Sequence, residues 1–186
     1  MISLRNILIA AASAALLVLA SANARAQAPG TSGQVAAAGD VKAEVIRTIE
    51  SAEGHVMALA EKFPAEKYSW HPENARSTGE AFIHIASGNF AYAAALGTPR
   101  PEGVTGESLA KLTDKAQIIE TLKKSFAHLK AAVNGVSDPE KTVKFRGKDT
   151  TYREIMMIAA SHDHEHLGQL IAYARVNGIV PPWSEK

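Results

Sequence analysis

Residues 159–176, AASHDHEHLGQLIAYARV, place His162, His164 and His166 at every second position of the chain. A β-strand would direct all three imidazoles to one side, whereas an α-helix would direct His162 and His166 to one side and His164 to the other. Apolar residues recur every three or four positions on both flanks, which is the period of a helix. We therefore predict a helix that presents two of its three histidines on its apolar face.

The ends of this helix are marked by short signals in the sequence. Thr151 and Glu154 have the spacing of a capping box, in which each side chain accepts a hydrogen bond from a free backbone N–H of the first turn. Gly178 follows the last apolar repeat, and two prolines shortly after it cannot continue a helix. These signals predict a helix over residues 152–177.

Three further segments have the same helical period. The first spans residues 41–63, the second spans 78–96 behind a capping box at Ser77 and Glu80, and the third has its apolar residues between 118 and 133. The sequence therefore predicts an all-α fold, a four-helix bundle.

The connections between these helices bear on the topology. The segment GTPRPEGVTGES, residues 97–108, is too long for a tight hairpin and can carry the chain back along the bundle, so the second and third helices can run parallel as well as antiparallel. Before the last helix, KTVKFRG at residues 141–147 is the only candidate for a short extended piece. We expect negligible β structure.

The N-terminal residues predict export. Arg5 precedes an apolar run at residues 7–20, and the small-x-small pattern ARA ends at Ala26. This is the pattern of a secretory signal peptide, whereas a membrane-spanning helix needs about 20 apolar residues. We predict cleavage after Ala26, a mature N-terminus at Gln27 and no stable membrane insertion.

The rest of the chain divides into a lead and one domain. Residues 27–40 are rich in Gly, Ala and Ser and lack an apolar period, which predicts a flexible lead before a single domain over residues 41–186. Removal of residues 1–26 leaves 18 basic and 19 acidic residues. This balance, with the lysines scattered among acids, argues against nucleic-acid binding.

Cysteine is absent from the whole sequence. The exported protein therefore has no disulfide, no thiol nucleophile and no thiolate metal ligand. We expect a protein that is free in the periplasm or secreted, as a monomer or a homodimer.

Two histidines four positions apart on one helix face can bind one metal ion, because their side chains lie on successive turns. His162 and His166 have this spacing, and His84 lies on the apolar stripe of the second predicted helix, close to the small residue Gly88. Taken alone, His84 is better explained as a hydrogen-bonded core residue. Three inward imidazoles without carboxylate partners favour a metal site with three protein ligands and open positions for water or substrate.

Other polar residues near this cluster have simpler interpretations. His164, Asp163 and Glu165 are expected to be solvated, with a hydrogen bond that orients a ligand imidazole as the second interpretation for Glu165. Gln169, one turn beyond His166, could bond a metal-bound water or a group of the second helix.

The remaining candidates carry weaker signals. His55 and His128 lie at the border of their apolar stripes or outside them, which predicts structural or surface roles. Tyr68, Trp70 and His71 belong to a loop that either covers the mouth of a site or closes the end of the bundle.

The segments GEAFIHIA at 79–86 and HDHEHLGQL at 162–170 together resemble the DinB-like four-helix bundles, a superfamily that includes bacillithiol transferases and a mycothiol-dependent maleylpyruvate isomerase. The resemblance extends from residue 41 to residue 183. It implies an up-down-down-up bundle. The metal triad of that family falls on three positions of this chain, His84, His162 and His166.

The predicted export signal departs from the characterised transferases of that superfamily, which are cytoplasmic and use a cytoplasmic thiol. The activity therefore does not follow from the fold. The first hypothesis is a metal-dependent hydrolase or thiol transferase that acts on a small molecule or a thiol, with Zn²⁺ as the expected ion and Ni, Fe or Cu as alternatives. The second is a non-catalytic envelope protein that binds metal or a small ligand, or acts in a stress response.

Overall fold

The computed structural model describes residues 40–184, so the predicted signal peptide and most of the predicted lead lie outside the described residues. The bounds of its helices are α1 Val41–Lys62, α2 Thr78–Ala95, α3 Gly106–Ala110, α4 Lys115–Gly135 and α5 Tyr152–Val176, with 3₁₀ turns at Ala65–Lys67 and Pro182–Ser184. The four long helices confirm the predicted bundle. Within the described part of the chain, none of them is long and apolar enough to cross a membrane.

The predicted helix starts are set by side-chain caps. At α2, Ser77 Oγ accepts from the Glu80 N–H (3.2 Å) and the Glu80 carboxylate accepts from the Ser77 N–H (2.7 Å), which confirms the capping box. At α5, Thr151 Oγ1 accepts from the Glu154 N–H (3.2 Å). The Glu154 carboxylate accepts instead from the Thr150 hydroxyl, so only half of the box predicted there is formed.

α1 and α4 are antiparallel, and a lysine lies at each end of the pair. Lys42 Nζ, in the first turn of α1, donates to Val136 O at the end of α4 (3.0 Å). Lys115 Nζ, at the start of α4, donates to Phe63 O at the end of α1 (2.8 Å). Each lysine satisfies a carbonyl that the helix end leaves without an internal partner.

α2 and α4 run parallel. Gly79 packs against Ile118 near the start of both helices. Farther along both, Asn89 Nδ2 donates to Ser125 Oγ (3.2 Å). The crossover after α2 therefore returns the chain to the end of the bundle from which α2 began.

α2 and α5 run antiparallel. The Tyr173 hydroxyl, near the end of α5, donates to Arg76 O just before α2 (3.1 Å). Toward the other end, the rings of Tyr92 and His162 pack with their centres 5.4 Å apart. The four long helices thus have the up-down-down-up order that the resemblance implied.

The apolar core lies between the four long helices. Its largest fully buried side chains come from all of them and from the residue that ends α1: Phe63, Phe82, Phe90, Phe126, Ile49, Leu59, Ile85, Ile118, Leu122, Leu129, Ile155 and Met156. Burial of this apolar surface is the main favourable contribution to folding.

The loop before α2 closes one end of this core. Tyr68 is buried, its ring packs on Phe82 (centres 5.6 Å apart), and its hydroxyl donates to Ala60 O (2.7 Å). Trp70 packs edge-on against Tyr173 (5.3 Å), whereas His71 is exposed. Of the two interpretations of this loop, Tyr68 supports closure of the bundle end.

The described residues contain little β structure, and it begins in the segment 141–147 that the sequence offers as an extended piece. β1 (Thr142–Phe145) and β2 (Lys148–Thr151) form an antiparallel hairpin. Arg146 and Gly147 are its two turn residues, with φ of 50° and 79°, as in a type I′ turn. The strands have only four residues each, too few for a clear alternation in the sequence, and apolar side chains of β1 pack against the bundle.

The crossover after α2 also contains regular structure that its composition did not predict. The hydroxyls of Thr105 and Ser108 each accept from the backbone N–H of the other residue (3.0 and 2.8 Å), and this reciprocal cap starts α3. Leu109 of α3 is buried. The single turn of helix therefore fixes the path of the long connection.

Candidate metal centre

Three imidazoles converge where α2 faces α5. His84 comes from α2, and His162 and His166 come from successive turns of α5. One ring nitrogen of each lies within 4.8 Å of the others, and the Nε2 atoms of His84 and His162 are 3.3 Å apart. His164 is exposed on the other side of α5, as predicted, and its Nδ1–H donates to Ala160 O (3.0 Å).

Gly88 makes room for this cluster. An added Cβ at position 88 would lie 2.4 Å from Cε1 and 2.9 Å from Nδ1 of His162, closer than non-bonded atoms approach. The His162 ring therefore occupies the space that a side chain at position 88 would fill. The contact confirms that α2 and α5 approach closely at Gly88, as expected from a small residue at this position.

A chain of hydrogen bonds orients His166. Its Nδ1–H donates to Gln169 Oε1 (2.9 Å), Gln169 Nε2 donates to the Tyr173 hydroxyl (2.7 Å), and that hydroxyl donates to Arg76 O (3.1 Å). Because Nδ1 carries the proton, Nε2 of His166 has a free lone pair. Gln169, one of the candidate supporting residues, thus contacts a triad histidine directly.

The expectation of a solvated Asp163 is wrong, because its side chain is 0% exposed. α5 packs against both α1 and α2. The part of its surface that is buried is therefore wider than the apolar stripe seen in the sequence. Asp163 Oδ1 lies 3.9 Å from His162 Nδ1. Neither carboxylate oxygen of Asp163, nor His162 Nδ1, has a hydrogen-bond partner in the described part of the chain. Burial raises the pKa of this carboxyl.

Glu165 is exposed, as predicted, and lines the cavity beside the triad. Its charge acts to raise the pKa values of His84 and His166, but burial acts in the opposite direction and is stronger. Burial, with the nearby positive charge of Arg76, lowers the pKa of His84 to about 4, and burial also lowers the pKa of His166. Both rings are therefore neutral at pH 7, which is the form that binds metal.

The triad lies in the wall of a cavity of about 710 Å³. Charged side chains of both signs line the same space, namely Arg76, Arg146, Glu154 and Glu165. A cavity of this size accommodates a small molecule. Arg146 belongs to the hairpin turn, so the sequence pattern gave no sign that it would reach this site.

His55 and His128 do not join the triad. His55 packs against Trp183, with ring centres 4.2 Å apart. His128 packs against Phe90 (5.5 Å) on the α2–α4 side of the bundle. Both positions support the structural roles expected for them.

The family model of the DinB superfamily matches residues 48–170, more than half of the chain and a range that contains the whole triad. The chain belongs to the DinB superfamily. Similar solved structures include the DinB-like protein YjoA of Bacillus subtilis, with 22% identity and a TM-score of 0.59, and a DinB-like protein of Bacillus cereus, with 17% identity and a TM-score of 0.65. Each similarity covers 74% of this chain and 93% of the other, and it shows the shared fold. No curated protein matches the chain.

Proposed function

We propose that this protein is an exported metal-dependent enzyme, a hydrolase or thiol transferase, in which His84, His162 and His166 hold a divalent ion. One observation carries the proposal: three imidazole nitrogens that approach within 4.8 Å of one another lie in the wall of a cavity large enough for a small substrate. Three protein ligands with the remaining positions open to solvent are typical of catalytic metal sites.

The surroundings of the triad fit a bound cation. Asp163 is a fully buried carboxylate without a hydrogen-bond partner in the described residues, and such a group is unfavourable unless a positive charge lies nearby. Its Oδ1 atom lies 3.9 Å from Nδ1 of His162. A carboxylate beside the far nitrogen of a metal-binding histidine is a common supporting arrangement in metalloproteins.

The residues of this chain have defined parts in the proposed site. Gln169 holds the His166 ring by its Nδ1–H, and Gly88 leaves the space that the His162 ring requires. When bound, Zn²⁺ or a similar ion would act as a Lewis acid and lower the pKa of a bound water or thiol toward neutrality. Imidazole donors also suit Ni, Cu and Fe. A thiol must come from outside the chain, which has no cysteine.

Export is part of this proposal and rests on residues 1–26 of the sequence. We expect the purified protein from the native host to start at Gln27 and to be recovered from the periplasmic or secreted fraction. N-terminal sequencing measures this directly. A product that retains Met1 and sediments with membranes contradicts it.

Metal analysis of the purified mature protein, combined with a turnover screen, tests the function. The screen offers thiols with electrophiles in one set and simple esters and amides in another. One equivalent of a divalent metal with turnover in either set supports the enzyme. Metal without turnover favours a non-catalytic metal- or ligand-binding protein, and absence of metal binding overturns the proposal.

A further inference from the structure

Arg146 has an unusual backbone conformation for an arginine. It is the first residue of the hairpin turn, where φ is 50°, and Asn, Asp or Gly are preferred at such a position. Residues other than glycine in this region are held there by their surroundings and are concentrated at functional sites. The turn brings the Arg146 side chain to the cavity that contains the triad.

Two aromatic rings hold the guanidinium at the cavity. Arg146 Cζ lies 5.0 Å from the ring centre of Phe145 and 5.8 Å from that of Tyr92. A guanidinium N–H also donates to the Tyr92 hydroxyl (3.4 Å). The Tyr92 ring also packs against His162, at 5.4 Å between centres, and against Phe145, at 6.2 Å. One tyrosine therefore connects the cation to a histidine of the triad.

Arg146 has no carboxylate partner in the described part of the chain. Asp149, the acid of the same hairpin, forms an ion pair with Lys144 (2.8 Å). Glu154, which also lines the cavity, accepts from the Thr150 hydroxyl. The guanidinium is thus held in position by the aromatic rings, and its N–H donors remain available to bind an anion.

We propose that Arg146 recognises a carboxylate of the substrate, so that the substrate class is a small molecule with a metal-binding oxygen or sulfur at one end and a carboxylate at the other. This inference rests on the proposed metal-dependent function. Two arginines and two glutamates line the cavity, and a divalent ion would add two positive charges. The two parallel N–H donors of a guanidinium match the two oxygens of a carboxylate, and a carboxylate adds one negative charge to this cavity where a phosphate monoester adds about two.

Binding of short thiols to the mature protein loaded with Co²⁺ tests this assignment, because thiolate bound to Co²⁺ gives a near-ultraviolet charge-transfer band. The probes are 3-mercaptopropionate, its uncharged amide and the cationic 2-mercaptoethylamine. After correction for the pKa of each thiol, we expect 3-mercaptopropionate to bind about tenfold more tightly than the amide. This preference should shrink as ionic strength rises, because Arg146 is solvent-exposed.

Arg146→Asn is the decisive variant, because Asn-Gly is a favoured type I′ turn and the hairpin is expected to remain formed. It should weaken 3-mercaptopropionate binding about tenfold and leave binding of the amide unchanged. Lys148→Gln is the matched control, since it removes an exposed charge from the same hairpin outside the cavity. We expect it to change neither affinity.

The outcomes separate the two proposals. Equal affinity of the unaltered protein for 3-mercaptopropionate and its amide, with the band present, overturns the role of Arg146 and leaves the metal site intact. Equal weakening by Arg146→Asn and Lys148→Gln also overturns that role, because it indicates a general charge effect. Failure of the protein to bind Co²⁺ contradicts the proposed function, and this inference with it. Bound Co²⁺ that gives no band with any probe overturns this inference and the thiol transferase, and it leaves the hydrolase.

Discussion

The bundle contains two antiparallel helix pairs, α1–α4 and α2–α5, that differ in the polar groups they place between the helices. Between α1 and α4, a lysine from each helix bonds the terminal carbonyls of the other, and Lys130 pairs with Glu53 (2.5 Å) in the middle. Between α2 and α5, the middle holds a glycine, three imidazoles and, behind them, the buried carboxylate of Asp163. Of the five buried side-chain atoms without a hydrogen-bond partner in the described residues, three belong to His162 and Asp163 of α5. The other two, Asn89 Oδ1 and His128 Nε2, lie on the α2–α4 side of the bundle.

This difference indicates that stability and chemistry are supported by separate contacts. Unpaired buried polar groups destabilise a fold, so the three unpaired atoms of His162 and Asp163 mark the α2–α5 interface as the candidate functional site. The α1–α4 pair and the apolar core then provide the rigid frame on which the triad is held. Changes in the α2–α5 pair should therefore alter metal binding, and changes in the α1–α4 pair should alter stability.

The largest effect is expected from loss of a triad histidine. His84→Ala, His162→Ala and His166→Ala should each abolish metal binding or weaken it severely, because two ligands remain where three are needed. His164→Ala is the control, since this residue is exposed on the other side of α5 and should keep the metal. Metal content after dialysis measures the difference. Equal loss in His164→Ala would instead indicate a surface chelating cluster.

Asp163→Asn should have the next largest effect. The change keeps the shape of the side chain and removes its charge, so we expect metal affinity to fall about 10- to 100-fold. Glu165→Gln, an exposed carboxylate beside the same triad, should change affinity less. Competition with a chelator gives both values.

The metal-free Asp163→Asn protein separates a metal-linked role from a purely structural one. It should be at least as stable as the unaltered metal-free protein, because a buried charge without a partner is removed. A variant that unfolds more easily and binds metal normally would show that Asp163 supports the fold alone.

The α2–α5 pair should also make the metal-free protein sensitive to acid. Burial lowers the pKa of His84 from 6.5 to about 4, so between these values the folded state binds fewer protons than the unfolded chain. The free energy of unfolding should therefore fall as pH drops from about 6.5 toward 4. Urea titrations across this range measure it, and His84→Gln should give a shallower dependence. Identical slopes for the two proteins would contradict the assignment to His84.

The smallest effect is expected in the α1–α4 pair. Lys115→Ala removes two hydrogen bonds to the carbonyls of Glu61 and Phe63 (2.8 Å each), and we expect about 1 kcal/mol of destabilisation. Lys124→Ala, an exposed i,i+4 partner of Glu120 on the same helix, should change stability by less than about 0.5 kcal/mol. Neither change should affect metal affinity. A loss of metal in Lys115→Ala would show that metal binding also depends on the α1–α4 pair.

The features that the sequence predicts well are those with a local cause. Helix period and capping residues fix α2 and α5 to within one residue of their expected ends, and they decide that His162 and His166 share a face that His164 does not. The inward position of His84 and the small residue Gly88 beside it can also be predicted from the apolar stripe of α2 alone. These assignments need no knowledge of how the helices pack.

The features that the sequence does not predict depend on more than one element. Asp163 looks solvated on a single helix, and it is buried because two helices cover α5. The sequence offers residues 141–147 as an extended piece but does not predict the pairing of β1 with β2, because four-residue strands show too little alternation and are held by contacts with the bundle. Arg146 reaches the cavity only through that hairpin. Tertiary packing, which a single helical period cannot represent, accounts for all three.

The residue at position 88 is subject to two opposing structural requirements. Glycine inside a helix is less favourable than alanine by about 1 kcal/mol, so selection for a stable α2 alone would replace it. An alanine methyl would stand 2.4 Å from the His162 ring and displace the histidine. A lineage that no longer used the triad would therefore be free to gain stability at this position.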